Sequence, residues 1–186
     1  MNSSEIVLSS RRLTLKVIDE NYADEVLNYF KRNEKFLKKW EPKRSEELYT
    51  LKYQKNQLRD DLSNISKGNL LKLWIFPKGD NKIIGSLIFS NIVRGCFQSC
   101  YLGYLLDEGK VNSGYMTEAL EELIRFLFEE LKLHRIEANI IPENKASLRV
   151  VEKLGFYNEG LARKYLKIND KWEDYIHMVL LNEGVE

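Results

Sequence analysis

The chain has 186 residues and no Pro-, Gly- or Ser-rich stretch that reads as a linker, so one domain over residues 1–186 is expected, large enough to bury a core without staples. Its 29 Lys and Arg against 28 Asp and Glu leave a net charge of +1, which excludes a bulk field drawing it to nucleic acid or an anionic membrane. Cys96 and Cys100, with only His134 and His177 beside them in the composition, make no credible zinc set and read as free, partly buried thiols.

The start, Met1 to Ile6, lacks the basic and apolar regions of a secretory signal, and no apolar run is long enough to span a bilayer; a cytoplasmic protein is expected. Arg12 to Val17 alternates apolar and polar residues, the pattern of a half-buried strand. Asp19 and Asn21 then suit the cap of a helix carrying Ala23, Val26, Leu27 and Phe30 on one face. Trp40 lies in a segment that Pro42 keeps from continuing as helix.

Ser45-Glu46-Glu47 predicts the opening of a second helix, with acids where the dipole favours them and Leu48, Leu51, Leu58, Leu62 and Ile65 on one face. Gly68-Asn69 stops it. Strands are expected over Leu70 to Phe76, Lys82 to Asn91 and Phe97 to Leu106, the first two joined by the turn residues Pro77 to Asn81, which points to an antiparallel meander.

After Gly103-Tyr104-Leu105-Leu106 the polar stretch Val111-Asn112-Ser113-Gly114 runs into the most amphipathic helix of the chain, with Met116, Leu120, Leu123, Ile124, Leu127 and Leu131 on one face. A helix start presents unpaired N–H groups and the positive end of the macrodipole, so such a loop can hold a diphosphate without a basic side chain. Gly114 lets the backbone come close to the anion. Arg135 to Ile141 reads as a strand ended by Pro142, Asn144 to Lys153 as a short helix closed by Gly155, and two last strands fall within Tyr157 to Ile168 and Trp172 to Leu181 around an Asn169-Asp170 turn.

The pieces Gly114-Tyr115-Met116-Thr117-Glu118-Ala119-Leu120, Leu133-His134-Arg135-Ile136-Glu137-Ala138, Pro142-Glu143-Asn144-Lys145-Ala146-Ser147, Glu152-Lys153-Leu154-Gly155-Phe156, Glu159-Gly160 and Trp172-Glu173-Asp174 follow one another over the C-terminal half. In that order and spacing they resemble the GCN5-related N-acetyltransferases, and within them the RimJ/RimL branch that acetylates protein N-termini, ribosomal proteins included. Arg11 to Leu15 and Phe36 to Trp40 resemble the family's N-terminal half. Two positions depart from the family pattern. The phosphate loop has Val111 in place of Gln or Arg and Met116 in place of Gly or Ala, and the tyrosine that many members use as the acid for the thiolate is replaced by Val151.

The resemblance implies an α/β (α+β) fold with a mixed, mostly antiparallel sheet flanked by helices and splayed near Gly103. It implies acetyl-CoA as cosubstrate, no metal and direct attack by the acceptor amine. Ser113, Gly114, Tyr115, Met116 and Thr117 would cradle the pyrophosphate. Gly103, Tyr104 and Leu105 would offer strand-edge backbone to pantetheine and the acetyl carbonyl, and Asn144 would bond the pantetheine arm. Asn144 also stands where an N-cap belongs, and both roles fit one amide.

Ser147 matches the branch's Asn-x-x-Ser and is the candidate acid; it reads equally as a first-turn serine bonding its own backbone. A thiol with a reference pKa of about 8.5 leaves tolerably as thiolate, so the acid need only hydrogen-bond it. The base stays open: Glu41, Glu137, Asp174 and Tyr165 are conceivable relays, while His134 and His177 read as structural. Trp40, Tyr49, Tyr53 and Trp74 are candidates to line the acceptor site, with core packing the default for each.

The expected acceptor is the N-terminal α-amine of a protein or peptide. The alternatives are a small amine, such as a polyamine met by Glu46-Glu47 or Asp60-Asp61, and an acyl-CoA-binding sensor without turnover. No nucleic-acid or membrane partner is expected, and the family allows a homodimer.

Overall fold

A computed structural model describes residues 6–185. Eight strands form one sheet in the order β1-β2-β3-β4-β5-β6-β8-β7, where β1 is Val7–Ser9, β2 Leu13–Lys16, β3 Leu70–Pro77, β4 Gly85–Val93, β5 Ser99–Leu106, β6 Arg135–Ile140, β7 Tyr157–Ile168 and β8 Lys171–Leu181. Every neighbouring pair is antiparallel except β5 with β6. The expected meander is therefore present, and β1, too short to show a period, is added ahead of it. Helices α1 (Ala23–Leu37), α2 (Leu51–Ser66), α3 (Tyr115–Glu129) and α4 (Lys145–Lys153) cover the sheet.

Strand alternation divides the core into two layers. Leu71, Leu73 and Ile75 of β3 point one way and pack with Leu120, Leu123 and Leu127 of α3 and with Leu148 and Val151 of α4. Trp74 and Phe76 point the other way, into Tyr29 and Phe30 of α1 and Leu58 of α2. Trp74 is thus a core residue, meeting Tyr29 and Phe30 edge to face at 6.0 and 6.2 Å, and lines no groove.

The second helix begins later than its acids suggest. Glu46–Tyr49 form a separate 3-10 turn, and α2 starts after Thr50, whose side chain accepts the Tyr53 N–H. Ser45 has extended backbone and no capping bond, so the acids sit on the turn and not on α2. Asp61, expected on a solvated face, is buried against Lys72 Nζ at 2.7 Å. This ion pair leaves the Asp60-Asp61 pair with one exposed carboxylate. Leu131 lies beyond the end of α3. Cys96 is exposed and Cys100 buried, each a free thiol. The Asn169-Asp170 turn has both residues at positive φ, as a tight hairpin demands, and Asn169 Nδ2 donates to Lys38 O at 3.1 Å beyond the end of α1. Among the described residues no helix is long and apolar enough to cross a membrane.

Candidate active site

The sheet opens where its one parallel pair fails. β5 and β6 pair only at Ser99↔Arg135, Cys100↔Ile136 and Tyr101↔Glu137, after which β6 follows β8 as far as Ile140 while β5 follows β4 to Leu106. Residues 102–106 of β5 therefore turn backbone N–H and C=O groups into the gap with no strand to meet them. At Gly103 an added Cβ would meet nothing within 4 Å. Tyr104 bridges the gap on the α3/α4 side, its hydroxyl donating to Ser147 O of α4 at 3.0 Å. Burial pushes that phenol well above its ordinary pKa, so it stays a neutral donor.

The loop before α3 is wound by two left-handed residues, Asn112 (φ 59°) and Gly114 (φ 76°), and Asn112, Ser113 and Gly114 are exposed. Gly114 is the N-cap and has no side chain to cap with, so the N–H groups of Tyr115, Met116 and Thr117 lack both an intrahelical acceptor and a capping oxygen. The Met116 side chain is buried in the core, so this residue can offer a ligand only its backbone. Val111 supplies no donor side chain.

Arg12 secures the loop from β2's side. Its Nε donates to Glu118 Oε2 at 2.6 Å and its Nη1 to Ser113 O at 3.1 Å, and its guanidinium lies 4.3 Å from the Tyr115 ring centroid. Glu118 also accepts from Ser10 Oγ and the Arg12 N–H, each at 2.7 Å. Partial burial works to raise the Glu118 pKa, but the bonds from Ser10 and Arg12 outweigh it and hold the carboxyl below its usual value. In the sequence Arg12 opens a strand pattern within a segment resembling the family's N-terminal half; the 106 residues separating it from Glu118 hide the contact.

On α4, Asn144 Oδ1 accepts the Ser147 N–H at 3.1 Å, so Asn144 is the N-cap and its amide nitrogen remains for another partner. Ser147 is half-buried, with its backbone oxygen held by Tyr104. Val151 is fully buried and packs inward, so no acid stands at that position.

Beyond the gap, on the α1/α2 side, β6 and β8 bring together groups that the sequence left apart. His177 Nδ1 lies 2.8 Å from Glu137 Oε1, and Glu137 Oε2 accepts from Arg135 Nη2 at 2.8 Å. Arg135 is in turn paired with Glu159. Tyr165 is aimed inward by a bulge between Ala162 and Leu166, in which Lys164 is left-handed (φ 49°) and gives its N–H to Asp174 Oδ1 at 2.8 Å. The Tyr165 ring stands edge-on to His177 with centroids 4.9 Å apart.

Of the four conceivable relays, Glu137 and Tyr165 thus meet at His177, while Asp174 pins the bulge. Glu41 lies in the loop after α1, ion-paired with Arg44; burial pushes its carboxyl up despite that partner. A cavity of about 190 Å³ there is lined by Phe30, Leu37, Glu41, Arg44, Leu48 and Tyr49. The signal for His177 was its strand pattern: Glu137 and Asn139 interrupt Ile136, Ala138 and Ile140 with period two, and His177 alternates with Ile176 and Met178.

Residues 12–157 match the acetyltransferase (GNAT) domain family. The chain is 35% identical over 180 residues to the probable N-acetyltransferase YjcK of Bacillus subtilis (strain 168), covering 97% of this chain and 99% of that one. It is also 35% identical over 178 residues to the ribosomal protein uS5-alanine N-acetyltransferase of Escherichia coli (strain K12), covering 94% and 90%. The crystal structure of the ribosomal-protein-S5-alanine acetyltransferase from Vibrio fischeri superposes with a TM-score of 0.93 at 34% identity, over 98% of this chain and all of that one.

Proposed function

This chain belongs to the GNAT family of N-acetyltransferases, and from that premise we propose that it moves acetyl from acetyl-CoA to the N-terminal α-amine of a protein, by direct attack. The observation that carries the reading is the pairing of an uncapped helix start with an opened strand edge, one feature for each end of the cosubstrate. The diphosphate sits on the N–H groups of residues 114–117, where the α3 dipole favours negative charge. Pantetheine then runs along residues 103–105 of β5 with the Asn144 amide beside it, which brings the thioester into the gap. Acetyl-CoA supplies the activated acyl group, and the protein orients it, excludes water and handles two protons.

An unpaired strand N–H at the gap can donate to the carbonyl oxygen as negative charge develops on it. The leaving sulfur lies on the α4 side, near Ser147, whose hydroxyl needs only to hydrogen-bond a thiolate that already leaves tolerably. An α-amine, with a reference pKa of about 7.7 to 8.0, is partly neutral at physiological pH, whereas a lysine near 10.4 is almost wholly charged. That asymmetry supports the N-terminal acceptor, as do the names of the two alanine acetyltransferases.

The test mixes purified protein and acetyl-CoA with peptides of one sequence that differ only in residue one and carry a free or blocked N-terminus. Thiol release with the free α-amine, and a fragment mass placing the acetyl group there, are expected. Turnover of small amines with none of any peptide would overturn the acceptor assignment.

A further inference from the structure

We infer that His177 Nε2, with Asn139 Oδ1 beside it, is the station that receives the acceptor amine and takes its proton; the inference rests on the acetyl-transfer reading and names the groups that serve it. Asn139 and His177 are direct partners across β6 and β8, so their side chains share the sheet face turned to α1 and α2. Asn139 stands two residues past Glu137, the last β6 residue paired with β5, which puts this couple beside the gap. Tyr104 and Ser147 are on the opposite face. A thioester in the gap therefore has the amine on one side and its departing sulfur on the other.

Both Nε2 of His177 and Oδ1 of Asn139 are shut off from bulk water and have no hydrogen-bond partner among the described residues. A buried acceptor left without a donor is costly, so such a couple at the mouth of a reaction gap marks a place kept for donors. A neutral primary amine brings two N–H groups and a lone pair, which meets both acceptors and leaves the lone pair for the acetyl carbon. The Glu137 carboxylate fixes the tautomer, because Nδ1 must carry the proton it gives to Oε1, and Nε2 is then the basic nitrogen. Arg135 and Glu159 keep that carboxylate from turning.

The charged and titratable groups around the imidazole are Glu137 and Arg135 on β6, Glu159 and Tyr165 on β7 and, through their contacts with Tyr165, Tyr175 on its own strand and Tyr101 on β5. The Tyr165 ring lies against the imidazole, and admission of the amine turns it aside. In the step itself the amine lone pair forms the C–N bond, the N–H proton passes to Nε2, the C–S bond breaks and the sulfur keeps its electron pair. The thiolate takes up a proton, His177 returns its own to water, and the products are amide and free thiol.

The experiment compares wild type, His177→Ala, His177→Gln and Asn139→Ala with whichever amine the wild type acetylates, with and without added imidazole. General-base assistance is worth roughly 10²–10⁴-fold, so kcat should fall by that factor in both His177 variants, while the melting temperature of His177→Gln and the KM for acetyl-CoA stay near wild type. Imidazole should restore the Ala variant at least in part, which a purely structural histidine would not allow, and Asn139→Ala should raise KM for the amine. His177→Gln turnover near wild type, or a loss in His177→Ala that imidazole leaves untouched, overturns the assignment.

A second arm needs no turnover: in ¹⁵N-histidine-labelled wild type saturated with CoA, an alanine-starting peptide should shift the Nε2 resonance, and an unmoved resonance at saturating peptide rejects the station. If the wild type acetylates no amine at all, the acetyl-transfer reading fails, and this second arm still decides whether His177 meets an amine.

Discussion

Replacing Gly114 by Ala perturbs the loop before α3 at one torsion. The residue sits at φ 76° and ψ 2°, where an L side chain costs about 1–2 kcal/mol. An added Cβ would stand 3.4 Å from Arg12 Nη2, so the cost is mainly torsional and not a clash. If the loop keeps its shape, the strain is seen as lost stability, about 2–4 °C in Tm per kcal/mol for a chain of this size. If the loop relaxes, the same strain is seen as weaker CoA binding, since 1–2 kcal/mol is a factor of about 5–30. Calorimetric titration with CoA and a melting curve on one sample measure both, and together they should account for the strain. Gly114→Val should lose more, because a β-branched residue is a strong outlier at positive φ and its methyl groups stand where the anion approaches. In both variants KM for acetyl-CoA should rise more than kcat falls. Unchanged affinity and unchanged Tm in the Ala variant would refute the claim that this conformation shapes the cosubstrate site.

Gly103→Val gives the complementary result: its Cβ meets nothing, so Tm should stay within about 1 °C of wild type, a shift that corresponds to well under 1 kcal/mol, while acetyl-CoA turnover falls as the side chain fills the gap. The Tyr29 hydroxyl is buried without a partner among the described residues, so Tyr29→Phe should be neutral or raise Tm by a few degrees, in contrast to the loss usual for core changes. Glu118 has a folded-state pKa below its unfolded value, so its anchoring of the loop is fully present above the unfolded carboxyl range near 4.3 and is lost as pH falls through the lower folded value. Acid titration should accordingly show a stability loss below about pH 4.3 that Glu118→Gln, already weakened at neutral pH, shows to a lesser degree.

The fold was legible because its elements carry local signatures. The alternation of β2, the turn residues 77–81, the amphipathic α3 and the Asn144 cap each belong to a short window, and the structure has each of them. The start of α2 was misplaced because Glu46 and Glu47 are as well suited to the 3-10 turn as to a helix, and the extended backbone of Thr50 separates the two. Asp61 deceived for another reason: its partner Lys72 lies on the following strand, and no helical period reports a cross-element ion pair.

In the site, the loop around Gly114 was readable from one stretch of chain. The Arg12–Glu118 anchor and the Glu137–His177–Tyr165 group were not, since each depends on contacts between strands or helices far apart in sequence. His177, read as structural, is the residue whose chemistry only the β6–β8 register discloses.

The most direct measurement is a crystal structure of the acetyl-CoA complex. The pyrophosphate oxygens should lie within hydrogen-bonding distance, about 2.7–3.2 Å, of the backbone nitrogens of residues 114–117, with the thioester between residue 103 and Asn139. A diphosphate bound away from the start of α3, or a thioester outside the parted strands, would contradict the account.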